Sequence, residues 1–288
     1  MVDVLHLTDP GCPWAWSASP AIAALRWRFG DGLRWRHAMI GLTERAEQYE
    51  QRGYSPLQSA IGYHRFRRYG MPFAPHVKSR VSATSPACRT VVAARLRHPE
   101  LEWWTLRALQ MVQFTTPGRL EERDTLLAAL ERFDLPAEEI VGAIDSTEVI
   151  EAYEADRALA RSAQGTPAEV QNRTATTDGP VRYTAPSLVF EHEGQRMVAG
   201  GFQPLEAYDV LLAHLAPELE RRAAPDSAAH MLAEIPEGVF TAEAAAILCP
   251  HHLDVPDVPG AEARMLEAVA AGEARRVDVG DSALWLAG

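Results

Sequence analysis

Cysteine is scarce in this 288-residue chain, with three at positions 12, 88 and 249. The odd count and wide spacing argue against a disulfide framework of the kind that staples small secreted domains. Lysine is scarcer still: Lys78 stands alone among arginines, a skew that points to a high-GC bacterial genome. The 28 Lys and Arg are outnumbered by 39 Asp and Glu, for a formal net charge of -11, which argues against a nucleic-acid partner. No run approaches the roughly 18 apolar residues of a membrane span. The first residues also lack the basic start and apolar stretch of a secretory signal. The expectation is a cytoplasmic, non-membrane protein whose thiols stay reduced. At 47% hydrophobic residues it is well supplied for a core.

The most informative stretch is Thr8-Asp9-Pro10-Gly11-Cys12-Pro13-Trp14-Ala15-Trp16. It follows Val2 to Leu7, whose alternation reads as a strand. It precedes Ser17 to Phe29, where Ile22, Leu25, Trp27 and Phe29 recur at helical spacing. Cys12 therefore falls where a strand ends and a helix begins. Unpaired amides and the positive end of the helix dipole favour thiolate there, so a depressed pKa is expected. Pro13 suits the first helical turn, having no N–H to leave unpaired. A lone cysteine is more often a small buried hydrophobe; the junction and the Pro13-Trp14 pair favour a reactive thiol.

Further on, Leu33 to Ile40 reads as a second strand, parallel to the first across the intervening helix. Residues 43 to 85 are broken by Gly53, Pro56, Gly70, Pro72 and Pro75 after one short helix, Glu44 to Gln51. Arg65, Arg67, Arg68, Lys78 and Arg80 lie there among Tyr63, Phe66, Tyr69 and Phe73. Five helices follow, from Ser85-Pro86 to Ser162. After a polar loop, Tyr183-Thr184-Ala185-Pro186 leads into a strand, Ser187 to Phe190. A Glu193-Gly194 turn and the strand Met197 to Ala199 come next, then a helix from Leu205 to Leu215. Beyond a linker near Ala223 come three short helices and a hairpin, Arg275 to Val279 and Ala283 to Leu286. That order resembles a small winged-helix module in outline, though its few arginines make packing or dimerisation a better expectation than DNA binding.

Cys12-Pro13-Trp14 and Thr184-Ala185-Pro186 together resemble the DsbA-like branch of the thioredoxin superfamily, which carries C-P-x-C at the start of the first helix. The resemblance implies an α/β thioredoxin-like fold with a helical insertion. The thioredoxin core would be 1–41 and 179–217, the insertion about 43–165, the whole domain 1–222, and a C-terminal module 223–288. It implies Cys12 as nucleophile, with Pro13 and Trp14 in the motif and Pro186 as the proline, normally cis, facing the sulfur. Thr184, Ala185 and Trp16 would contact a bound thiol or peptide. This chain departs at the fourth motif position, which is Ala15, so the motif cannot close a disulfide on itself. A mixed disulfide on Cys12 would be resolved by a small thiol such as glutathione or mycothiol, or by Cys88. Cys88 lies in the first turn of its own helix; its alternative is a buried place against Val91 and Val92.

The implied activity is a cytosolic thiol-dependent oxidoreductase acting on a small thiol or a protein disulfide. Two alternatives stay open: a glutathione- or mycothiol-dependent transferase or isomerase of the kappa-like type, and a non-catalytic thioredoxin-fold scaffold. Arg65 and Arg68 are candidate contacts for an anionic substrate, or else solvated arginines of a surface. Cys249-Pro250-His251-His252 lacks a second ligand cluster, so no metal is expected. No tightly bound cofactor is expected either, and a homodimer is left open.

Overall fold

A computed structural model describes residues 1–251 and 254–288. Strand β1 (Val2–Thr8) leads through the turn at Gly11 into α1 (Pro13–Ser17) and α2 (Ser19–Phe29). Strand β2 (Leu33–Met39) returns parallel to β1, in register from Val2 opposite Leu33 to Thr8 opposite Met39. The chain then leaves the sheet for α3 (Ala46–Gln51) and α4 (Pro56–Phe66). Helix α4 occupies part of the stretch whose glycines and prolines suggest breaks. Pro56 instead opens the helix, and the Ser55 side chain caps it by accepting from the Gln58 amide at 3.3 Å.

Helices α5 (Ser85–Arg97), α6 (Glu102–Thr115), α7 (Arg123–Glu131), α8 (Ala137–Gly142) and α9 (Thr147–Ala160) pack around their own core, which includes Val91, Leu106, Leu109, Leu130 and Ile140. The chain returns through α10 (Pro167–Val170) and a two-stranded ribbon, β3 (Thr174–Ala175) with β4 (Arg182–Tyr183). Strand β5 (Ser187–His192) pairs antiparallel with β1, and β6 (Gln195–Ala199) pairs antiparallel with β5. The sheet order is β2-β1-β5-β6. The β5–β6 turn has positive φ at both Glu193 and Gly194, the geometry that matches strand twist in a tight hairpin. Helix α11 (Leu205–Leu215) covers one sheet face beside α2, burying Val4, Phe190, Leu25, Tyr208 and Leu212 together.

The C-terminal segment runs α12 (Ala228–Glu234), β7 (Val239–Phe240), α13 (Thr241–Leu248), α14 (Val258–Ala270), β8 (Ala274–Val279) and β9 (Ser282–Ala287). It is fastened to the rest by α2, which is buried on two sides. Leu25 and Phe29 face the sheet, while Trp27 enters the C-terminal core with Met231, Met265 and Trp285. Beneath α2, Glu243 is fully buried and receives Arg107 and the Ser19 hydroxyl. The hairpin turn also reaches back: Asp281 accepts from the Phe73 amide at 3.0 Å and pairs with Arg67 at 2.9 Å.

On the sheet, His6 is 2% exposed and neither ring nitrogen has a hydrogen-bond partner among the described residues. Burial first, then the neighbouring His37 and Arg26, hold its pKa well below the usual imidazole value. Below about pH 6.5 the unfolded chain therefore binds a proton that folded His6 refuses, and stability falls as pH falls. We expect His6→Leu to gain about 1.4 kcal/mol on wild type between pH 7.5 and pH 5.5 in urea titrations. A pH-independent difference between the two proteins would contradict this.

Candidate active site

Cys12 is the residue before α1, with extended backbone (φ -88°, ψ 114°), so the first turn opens beneath its side chain. Its amide donates to Asp9 O at 3.1 Å, and its carbonyl accepts from Trp16 N at 3.1 Å. Its thiol donates to Ala185 O at 3.3 Å, across the mouth of a cis Ala185–Pro186 peptide. The two segments that resemble the DsbA-like motifs are thus joined, although 173 residues separate them.

Asp9 organises the turn. One carboxylate oxygen accepts from Gly11 N at 2.8 Å, the local Asp-to-backbone turn that an Asp-Pro-Gly sequence favours. The other accepts from Leu42 N at 2.9 Å, Thr84 Oγ1 at 3.0 Å and Cys88 Sγ at 3.4 Å. This fully buried carboxyl, pushed up by burial, ties β1, the loop after β2 and the start of α5 to the Cys12 turn. Its role was legible only as a turn signal, because its other partners are distant in sequence.

The depressed Cys12 pKa expected from the helix start is overturned. Burial pushes the thiol up to about 12, helped by the nearby Asp9; the amides of Ala15 and Trp14 and the charge of Arg182 pull the other way and lose. The sulfur's residue is only 6% exposed, and α1 has five residues, so its dipole is small. Of the two places open to Cys88, the structure shows the buried one. It is fully buried in the helical core, and burial with Asp9 pushes its thiol well above the ordinary value.

A cavity of about 590 Å³ opens beside Cys12. Its walls come from Cys12, Pro13 and Trp14, from Tyr49 of α3 and Arg52 just after it, from Tyr63 and Phe66 of α4, and from the segment carrying Lys78 and Arg80. Trp14 is 39% exposed and packs edge-on against Phe66, with Phe202 and Tyr69 around it.

Other residues singled out in the sequence are placed differently. Trp16 is completely buried, its indole N–H donating to Pro72 O at 2.9 Å, so its face of the helix belongs to the core. Arg65 and Arg68 are exposed and do not line the cavity; Arg68 donates to Tyr69 OH instead. The cations that do line it are Arg52, Lys78, Arg80 and Arg182, with His76. Arg52 and Arg182 carry no local sequence signal, since Arg52 caps the end of α3 and Arg182 opens β4, far apart in the chain. Thr184 binds the Arg173 carbonyl through both its amide and its hydroxyl, which fixes the loop ahead of Pro186. No cluster of metal-ligating side chains exists among the described residues, and His252 of the Cys-Pro-His-His run lies outside them. No helix among them is long and apolar enough to cross a membrane.

A sheet in this order, interrupted by a helical insertion and carrying a cysteine-led helix start opposite a cis proline, has the fold of the DsbA-like thioredoxin-fold oxidoreductases. No protein-family model and no curated protein matches the sequence. Among solved structures, the chain is similar to a Nitrosomonas europaea protein proposed to be a protein disulfide isomerase, at 20% identity and a TM-score of 0.57 over 75% of this chain and 98% of that one. It is similar to the cytosolic disulfide reductase DsbM of Pseudomonas aeruginosa at 20% identity, TM-score 0.52, over 75% and 98% of the two chains. A structure of that reductase with glutathione matches with a TM-score of 0.51. A Streptomyces coelicolor protein proposed to be a DsbA oxidoreductase is 18% identical, TM-score 0.54, over 76% and 91%.

Proposed function

We propose that this chain is a cytoplasmic thiol–disulfide oxidoreductase that works with a small thiol, Cys12 being its nucleophile. The observation that carries the reading is the geometry at Cys12: its sulfur faces the Ala185 carbonyl at a helix start, and the residue lines a cavity with cationic and aromatic walls. Similarity to a cytosolic disulfide reductase that has been crystallised with glutathione supports it.

The Cys12 thiolate attacks one sulfur of a disulfide RS–SR′, forming Cys12–S–S–R and expelling R′S⁻, which takes a proton. A second small thiol, as RS⁻, then attacks the R sulfur, releasing RSSR and returning Cys12. The net exchange is RSSR′ plus RSH giving RSSR plus R′SH, so no outside oxidant is needed. Resolution falls to the incoming thiol because Ala15 offers no sulfur and Cys88 is sealed in the core. While it forms, the thiolate is received by the amides of Trp14 and Ala15 and by the Arg182 charge. Pro13, Trp14 and Pro186 shape the surroundings of the sulfur.

One observation favours a second reading. A thiol pushed up to about 12 keeps its proton and can donate a hydrogen bond to the sulfur anion of a bound thiol, and that anion would then attack an electrophile, as in a kappa-like transferase. Cys12→Ser separates the two. Serine retains a donor but cannot form a disulfide. Loss of disulfide exchange to the uncatalysed rate supports the oxidoreductase; retained conjugation to an electrophile, lost only in Cys12→Ala, supports the transferase.

A further inference from the structure

The cavity beside Cys12 holds four Lys or Arg side chains in its walls, and two of them already face a carboxylate of the protein, Asp178 being shared between Arg182 and Arg161. Arg80 Nη2 lies 2.6 Å from Glu121 Oε1, and Arg182 Nε lies 3.3 Å from Asp178 Oδ1. Arg52 and Lys78 differ. Arg52 donates to the main-chain oxygens of Leu42 at 3.4 Å and Thr177 at 3.1 Å. Lys78 Nζ donates to Gln113 Oε1 at 2.9 Å and to the Gly118 carbonyl. Neither meets a carboxylate at ion-pair distance among the described residues.

Both side chains are half-buried and both retain donors. A guanidinium has five N–H groups and an ammonium three, so each keeps at least one after its protein contacts. They are also anchored on different walls. Arg52 is held by the loop after β2 and by the stretch before β4, and Lys78 by the end of α6 and the loop after it. Gln113, whose amide nitrogen donates to Tyr63 OH at 3.1 Å, thereby turns its oxygen to Lys78. Burial, with the nearby Arg119, pushes the Lys78 ammonium down to about 8, and the charge of Glu122, itself paired with Arg119, offsets only part of this.

We propose that Arg52 and Lys78 are the specificity-determining cations of this site, each taking one carboxylate of an acidic thiol peptide whose sulfur lies between its two charged ends. The inference rests on the reading of the cavity as a thiol site and narrows it. Glutathione has that charge pattern. Mycothiol, a neutral sugar thiol, offers these two cations hydroxyl and carbonyl oxygens but no carboxylate, and so lacks the charge-assisted contacts. Arg52 suits a carboxylate through its planar fork; Lys78 acts as a point charge.

The test uses the full chain and S-methylglutathione, which keeps both carboxylates but cannot form a disulfide. By calorimetry, wild type binds it, and Lys78→Met and Arg52→Met each weaken binding at least about tenfold, the loss expected for one charge-assisted hydrogen bond. Lys78→Arg keeps most of the affinity. The diethyl ester of the same ligand binds weakly and is indifferent to Lys78→Met. Modification of wild-type Cys12 by hydroxyethyl disulfide, read by mass, tests the nucleophile without carboxylates, and urea unfolding of Lys78→Met and Arg52→Met shows that both variants fold. The proposal is overturned if S-methylglutathione fails to bind wild type, if both variants bind it unchanged, or if the ester matches the acid. Continued modification of Cys12 in those cases leaves the thiol-site reading standing. Failure of every disulfide to modify Cys12 removes that reading, and this proposal with it.

Discussion

Alkylation of Cys12 by iodoacetamide is expected to climb about tenfold for each pH unit between pH 7 and pH 10, with no plateau in that range. The cause is desolvation. Cys12 is 6% exposed, the charge of Asp9 acts on it, and the thiol is pushed up to about 12. At neutral pH its thiolate is then about a thousandfold rarer than that of an ordinary exposed cysteine. Cys12→Ser supplies the background from the other two cysteines. A plateau below pH 8 would contradict the burial argument and restore the helix start as the controlling influence. The Asp9→Asn variant isolates one contributor: removing that charge should move the rise toward lower pH.

Replacing Glu243 with alanine should cost about 3–5 kcal/mol, the usual result of leaving one charge of a buried pair alone. Arg107 is 6% exposed and binds Glu243 through both terminal nitrogens, at 2.9 Å on one side. The Phe240 amide, 2.8 Å from the same carboxylate, and the Ser19 hydroxyl would lose their acceptor as well. Because Ser19 lies on α2, Arg107 on α6 and Glu243 on α13, the deletion loosens the C-terminal segment from both of the other units. Urea denaturation measures the loss. A double variant, Arg107→Met with Glu243→Leu, should recover much of it, since two apolar groups leave no stranded charge. A cost below about 1 kcal/mol for Glu243→Ala would show that the pair is not what fastens the segment.

Much of the fold is legible locally. The strands at Val2–Thr8 and Leu33–Met39, the Glu193-Gly194 hairpin and the helix Leu205–Leu215 follow from period and turn chemistry carried within each segment. Helix α4 was obscured because Ser55-Pro56 acts as a cap and first turn, while the same residues also fit a loop. The site was legible in part. Cys12 and the Ala185–Pro186 peptide are opposed, as the resemblance implies, but the ionisation of Cys12 depends on what encloses it, and that comes from across the chain. Trp14 and Trp16 lie two residues apart on one short helix, so one faces the cavity and the other the core. Arg65 and Arg68 sit in the richest basic run yet point away, whereas isolated Arg52 and Arg182 line the cavity. Proximity in sequence was the wrong guide there, because the walls are assembled from helices, loops and a strand that tertiary packing alone brings together.

The most direct examination of the central claim is mass spectrometry of the intact protein after incubation with glutathione disulfide, followed by peptide mapping. The account predicts one glutathionyl group, carried by the Cys12 peptide, absent from Cys12→Ser and released when reduced glutathione is added. An unmodified Cys12, or an adduct confined to Cys88 or Cys249, would contradict it.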